Sequence, residues 1–135
     1  MKNEITTGKC LCESIKFKIH GNPLWVSHCH CQSCRRNTGS VVATFVGLRK
    51  EQLSYITGSR KFYESSPGVH RGFCADCGTP LTYEASWCEE EIHLYLVPSI
   101  TRKYLLQTDM YSLRRGYLGL KSTTIYLDLI HSKET

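Results

Sequence analysis

The stretch Val69-His70-Arg71-Gly72-Phe73-Cys74-Ala75-Asp76-Cys77-Gly78-Thr79-Pro80-Leu81-Thr82-Tyr83-Glu84-Ala85 reads as strand, cysteine turn, strand. Residues 69–74 and 81–85 are short runs carrying β-branched and aromatic side chains, which favour a pleated, half-buried surface. Between them, Cys74-x-x-Cys77-Gly78 has the form of a zinc knuckle. Two thiolates at that spacing grip one ion, and the glycine permits the positive φ that the turn needs. A knuckle brings two ligands, and a closed structural site needs four. Cys10-Leu11-Cys12 offers the second pair. Strand pairing closes the intervening loop at modest entropic cost. With both pairs at strand ends, a metal there staples two edges of a sheet.

Working outward, residues 14–20 alternate, with Ile15, Phe17 and Ile19 on one face. Gly21-Asn22-Pro23 is a turn, and residues 24–28 lead into a second cysteine cluster. Residues 41–48 form an apolar run rich in β-branched and aromatic types, so strand is favoured over helix. Residues 53–57, 61–64, 92–97 and 123–129 read as further short strands, punctuated by Gly58 and by Ser65-Ser66-Pro67-Gly68. A short helix is expected near residues 104–115, and residues 131–135 as a frayed tail. The length of 135 residues suits one domain spanning the chain, with no repeat or linker in it. The expected fold is all-β.

The middle cluster, Cys29-His30-Cys31-Gln32-Ser33-Cys34, is of another kind. Three protein thiolates with a fourth position open is the arrangement of a reactive zinc. An exogenous thiol bound there is deprotonated and becomes nucleophilic at neutral pH. His30 is a possible ligand, but alternation in an extended segment turns a residue between two ligands the other way. His28 reads as an ordinary strand residue and Cys88 as a small apolar filler.

Lysine and arginine number 17 against 12 aspartates and glutamates, a formal charge of +5. Metal ligands are deprotonated, so seven thiolates around two dications would leave a net charge of about +2. The basic excess then balances the cysteines and asks for no nucleic-acid partner. The start, MKNEITTGKC, has no signal-peptide run, and no stretch has the ~20 apolar residues of a membrane span. A cytoplasmic, reducing setting follows as the expectation, in which paired cysteines bind metal or act in redox chemistry rather than form disulfides.

Three segments together resemble a known family. They are Gly8-x-Cys10-x-Cys12, then Cys29-His30-Cys31-x-x-Cys34-Arg35-Arg36-x-x-Gly39, then Ser65-Ser66-Pro67-Gly68-x-x-Arg71-Gly72-Phe73-Cys74-x-x-Cys77-Gly78-Thr79-x-Leu81. They are similar to the glutathione-dependent formaldehyde-activating enzymes, a group that includes centromere protein V-like domains. The resemblance covers residues 8–83. It implies a twisted all-β fold of the Mss4-like, or β-tent, kind. It further implies a structural zinc on Cys10, Cys12, Cys74 and Cys77, and a second zinc on Cys29, Cys31 and Cys34. Glu13 departs from the family, whose members often have glycine after the second cysteine. Residues 84–130 diverge as well. The family's aspartate-containing turn, histidine segment and tryptophan are replaced by Val97-Pro98-Ser99-Ile100 and Leu105-Leu106-Gln107-Thr108-Asp109-Met110-Tyr111.

The activity this resemblance implies is a carbon–sulfur lyase like S-(hydroxymethyl)glutathione synthase. A thiol, glutathione or another, would be delivered to Cys29, Cys31 and Cys34, and the partner would be a small thiol or thiol–aldehyde adduct. Arg35, Arg36 and Arg71 are candidates for holding substrate carboxylates, since guanidinium pairs with carboxylate bidentately. The same arginines could instead offset the negative thiolate cages. The alternative reading is a non-catalytic zinc-stabilised module binding protein or nucleic acid, or a decayed enzyme that keeps only the structural zinc. Against nucleic acid stands the scatter of the charges, with no run of basic residues longer than two. A homo-oligomer is compatible with the sequence.

Overall fold

The computed structural model describes residues 4–96. The strand expected at 123–129, the helix expected at 104–115 and the frayed tail at 131–135 lie outside the described residues. The strands are β1 (Ile5–Lys9), β2 (Lys16–His20), β3 (Trp25–Cys29), β4 (Ala43–Arg49), β5 (Leu53–Thr57), β6 (Lys61–Ser66), β7 (Val69–Phe73), β8 (Pro80–Ala85) and β9 (Glu91–Tyr95). A helix, α1 (Gln32–Thr38), follows β3. The strands form a three-stranded sheet in the order β1-β2-β5 and a six-stranded sheet in the order β3-β4-β9-β8-β7-β6. The pairs between neighbouring strands are antiparallel. The mostly β architecture is the one expected.

The burial pattern explains the sequence pattern. In β2, Phe17 and Ile19 turn inward while Lys16 and His20 face solvent, the alternation of a sheet covered on one face. β4 is buried almost throughout, from Phe45 to Leu48, and therefore reads as a continuous apolar run. Its neighbours Phe45 and Val46 enter different cores, as the period of two requires. Val46 joins Ile15, Phe17, Ile19, Leu48, Leu81 and Leu94 between the two sheets. Phe45 joins Cys29, Cys34, Ala43 and Tyr95 on the other face, beside α1. The six-stranded sheet is thus covered on both sides, and the two cysteine groups belong to opposite faces.

Two elements escaped the sequence reading. β1 points Thr6 and Gly8 inward, so its buried positions carry no apolar alternation. α1 runs over Gln32-Ser33-Cys34-Arg35-Arg36-Asn37-Thr38, which has no amphipathic period long enough to register. Its ends are held instead. Cys31 caps the start, its side chain accepting from the Cys34 N–H, and Gly39 at φ 66° closes the end, its N–H donating to the Arg35 carbonyl.

Candidate metal centres

Cys10 and Cys12 leave the end of β1, and Cys74 follows the last residue of β7. The Sγ atoms of Cys10, Cys12, Cys74 and Cys77 all lie within 4.8 Å of one another. Cys10 to Cys12 is 3.6 Å and Cys12 to Cys74 is 3.8 Å. Bonds of ~2.3 Å to a tetrahedral ion separate the sulfurs by ~3.8 Å, whereas a disulfide would bring them to ~2.05 Å. All eight cysteines are free thiols. Four thiolate donors at tetrahedral spacing fit a closed metal site, and Gly78 has the positive φ, 77°, that the knuckle turn asked for.

Two hydroxyl residues serve this centre without having been singled out in the sequence. The Thr79 oxygen accepts from the Leu11 N–H at 3.0 Å and lies 3.1 Å from Cys77 Sγ. One side chain thereby ties both cysteine turns together. The Thr79 hydroxyl and backbone, with the Cys12 N–H, bring the Cys77 thiol down to about 5, so the ligand form is favoured before any ion arrives. Ser14 Oγ stands 3.1 Å from Cys12 Sγ and 3.3 Å from Cys74 Sγ. The signal for Thr79 was present in its place directly after Cys77-Gly78, while Ser14 carried none.

On the opposite face, the sulfurs of Cys29, Cys31 and Cys34 lie within 4.8 Å of one another. β3 ends at Cys29, Cys31 caps α1, and Cys34 is in the first turn of that helix. Strand, cap and helix thus bend a six-residue segment into a three-sulfur cup. Among the described residues no fourth histidine, cysteine or carboxylate joins this cup. His30 is buried beside it, and neither ring nitrogen meets a partner among the described residues. The Cys31 thiol is held at the bottom of the accessible range, about 2, first by hydrogen bonds from Cys29 and Cys34 and also by the Cys34 N–H and the Arg71 charge. Cys29 is pushed up in turn, since it donates to its neighbours and is buried.

Arg71 reaches the cup from β7. The residue is 5% exposed, and its guanidinium donates to Cys34 Sγ at 3.5 Å, Tyr95 Oη at 3.1 Å and Ser65 Oγ at 2.9 Å. It also lies over the Tyr83 ring, 5.2 Å from the centroid. Asn37 of α1 donates to the same Tyr95 oxygen at 2.8 Å. Arg35 and Arg36 sit in the last turn of α1, Arg36 exposed and Arg35 half-buried. A cavity of about 220 Å³, bordered by Thr38, Ser40, Thr44, Thr79 and Tyr95, lies between α1 and the start of β8. His28 pairs with Thr44 across β3 and β4, Nδ1 to Oγ1 at 2.7 Å. Cys88 is half-buried outside both centres.

The chain is thus a two-sheet antiparallel β protein with two cysteine groups, on opposite faces of its larger sheet, that could each hold a metal ion. Residues 5–104 match the family described as glutathione-dependent formaldehyde-activating enzyme, and the chain belongs to that family. A protein of Schizosaccharomyces pombe described as an uncharacterized lyase is 36% identical over 76 residues, which is 56% of this chain and 55% of that protein. The match therefore spans about half the length of that relative. In structure the chain is similar to a Rhodobacter sphaeroides protein solved by crystallography, with a TM-score of 0.60 and 19% identity over 78% of this chain and 99% of the other. That likeness bears on the fold alone. No helix among the described residues is long and apolar enough to cross a membrane.

Proposed function

We propose that this chain is a zinc-dependent carbon–sulfur lyase acting on a thiol–aldehyde adduct, with Cys29, Cys31 and Cys34 as its catalytic centre and Cys10, Cys12, Cys74 and Cys77 as its structural zinc site. The observation that carries this reading is the contrast between the two cups. One has four sulfurs, and the other has three with no fourth ligand among the described residues. Closed sites of four ligands are structural, while sites of three leave a position for substrate. A zinc ion in the three-sulfur cup would supply the charge that keeps a substrate thiol ionised.

The chain's own residues then prepare and shape that site. Cys31 caps α1, which fixes the cup's geometry. Phe45 and Tyr95 pack beneath it and keep water from the sulfurs on that side. Arg35 and Arg36, on the helix that carries Cys34, are the candidates for pairing with the carboxylates of a peptide thiol such as glutathione. The family to which the chain belongs is described as glutathione-dependent and formaldehyde-activating, and the half-matching relative is described as a lyase. Both descriptions support this substrate class. In the synthetic direction the thiolate sulfur attacks the carbonyl carbon, a C–S bond forms as the C=O π bond opens onto oxygen, and that oxygen takes up the proton the thiol gave up. The lyase direction reverses each step.

Native mass spectrometry with and without glutathione tests the reading. Two zinc ions per chain and a glutathione adduct that vanishes in Cys31→Ser are expected. One zinc and no adduct after zinc is resupplied would overturn it.

A further inference from the structure

We propose that Arg71 is a positioning residue for the three-sulfur cup, the counter-cation that neutralises it through Cys34 and that Tyr95 and Ser65 hold in place. This rests on the metal occupancy proposed above, but not on the identity of the thiol.

Arg71 is buried, and among the described residues its hydrogen bonds go to Cys34, Tyr95 and Ser65, none of them a carboxylate. A buried charge must be compensated. With a metal in the cup, the negative charge within its reach is the Cys34 sulfur, 3.5 Å from Nη1. Three thiolates around one dication carry a net charge of −1, and one guanidinium brings the buried assembly to zero. By contrast, the half-buried Arg60 is matched by Glu84 at 2.8 Å.

The supports are aimed rather than incidental. Ser65 Oγ accepts from Arg71 Nε, Tyr95 Oη accepts from Nη1, and the Tyr83 ring faces the guanidinium carbon. Asn37 donates to the same Tyr95 oxygen, so α1 and β7 share one phenol oxygen of β9. Outer-shell partners of this sort orient ligands and tune the metal. An N–H donated to Cys34 withdraws electron density from that sulfur and leaves the metal a better acceptor for a further thiolate. The substrate-carboxylate role is left to Arg35 and Arg36, since an arginine as buried as Arg71 has little surface to offer a peptide.

Cobalt(II) substitution tests this without using turnover. Thiolate-to-cobalt charge-transfer bands report the electron richness of bound sulfur, and Cys31→Ser identifies the bands that belong to the cup. In Arg71→Met, cobalt should bind the cup at least tenfold more weakly and its charge-transfer band should move to lower energy, while the bands of the four-cysteine centre stay in place. Those unchanged bands show that the variant is folded. Arg71→Lys should recover most of the affinity, because the charge returns, but not the band position, because the fork of donors does not. Tyr95→Phe should give a smaller shift in the same direction. Unchanged affinity and spectrum in Arg71→Met would overturn the proposal, as would a wild-type cup that takes no cobalt, which also sinks the proposed function. A wild-type cup that binds cobalt with the expected Arg71 dependence but binds no thiol would overturn the lyase reading and leave this one standing.

Discussion

The sulfur of Cys12 lies 3.8 Å from that of Cys74 although 62 positions separate them in the chain. Ser14 Oγ bridges the same two turns, and Thr79 ties the Cys10-Leu11-Cys12 turn to the Cys77 side of the knuckle. The three-stranded and six-stranded sheets therefore meet at a metal-sized cluster as well as across the core formed by Phe17, Ile19, Leu81 and Leu94.

Loss of a ligand from each centre should have different consequences. Cys74→Ser removes a buried donor from the closed site, where metal binding is itself folding free energy on the order of 10 kcal/mol. Circular dichroism melts should show a loss of cooperative unfolding. Cys31→Ser should retain a cooperative melt and lose one metal equivalent by elemental analysis. Equal collapse of both variants would contradict the division of roles.

Chelation should follow the same order. A competing chelator titrated into the two-metal protein should strip the three-sulfur cup first, with the far-ultraviolet spectrum unchanged. Secondary structure should fail only as the second equivalent leaves. Simultaneous release would mean that the sites are energetically one.

Glu13 is the one non-glycine residue with a left-handed backbone among those described, at φ 64°. A Cβ is costly in that region. Glu13→Gly should raise Tm by about 3 °C, despite the loss of the exposed Lys9–Glu13 pair. Scanning calorimetry on the zinc-loaded protein reads this directly, and a fall in Tm would show that the ion pair outweighs the strain.

Gly47 faces Trp25 across β3 and β4, and a Cβ there would overlap the indole ring. Gly47→Ala should cost about 1–3 kcal/mol by overpacking and release the Trp25 Nε1 bond to Glu91, 3.3 Å long. Urea denaturation followed by tryptophan emission should show both the lower midpoint and a red-shifted native spectrum.

Burial lowers the His93 pKa, and the nearby Glu91 opposes that shift only in part. The ring is fully enclosed by Trp25, Phe45, Tyr83 and Trp87. With its folded pKa below the ordinary 6.5, the stability it contributes is present above pH 6.5 and is lost as pH falls through the folded value. A proton NMR titration of the ring should give a midpoint below 6.5. A midpoint above it would mean that Glu91 governs the site.

What the sequence disclosed was what repeats or clusters. β5 could be read to the residue because Leu53-Ser54-Tyr55-Ile56-Thr57 is flanked by a polar turn and Gly58. Both cysteine groupings could be read because metal geometry restricts spacing. β1 stayed hidden because its inward residues are Thr6 and Gly8, and α1 because its stability lies in the Cys31 cap and the Gly39 stop. The Arg71 environment was out of reach for another reason. Cys34, Ser65, Tyr83 and Tyr95 come from four elements, and only the strand order β9-β8-β7 gathers them.

That strand order has a further consequence. β7 carries Arg71 to Cys34 at its middle and delivers Cys74 to the other centre one residue past its end. At ~3.3 Å per residue, the two points of attachment are ~10 Å apart on one hydrogen-bonded rod. A displacement of the Cys74 turn that reached the guanidinium would couple the two centres as a lever does about a fixed bar. Any such crosstalk would obey reciprocity: whatever factor an ion in the four-cysteine clasp imposed on affinity at the three-sulfur cup, an ion in the cup would impose on the clasp in return.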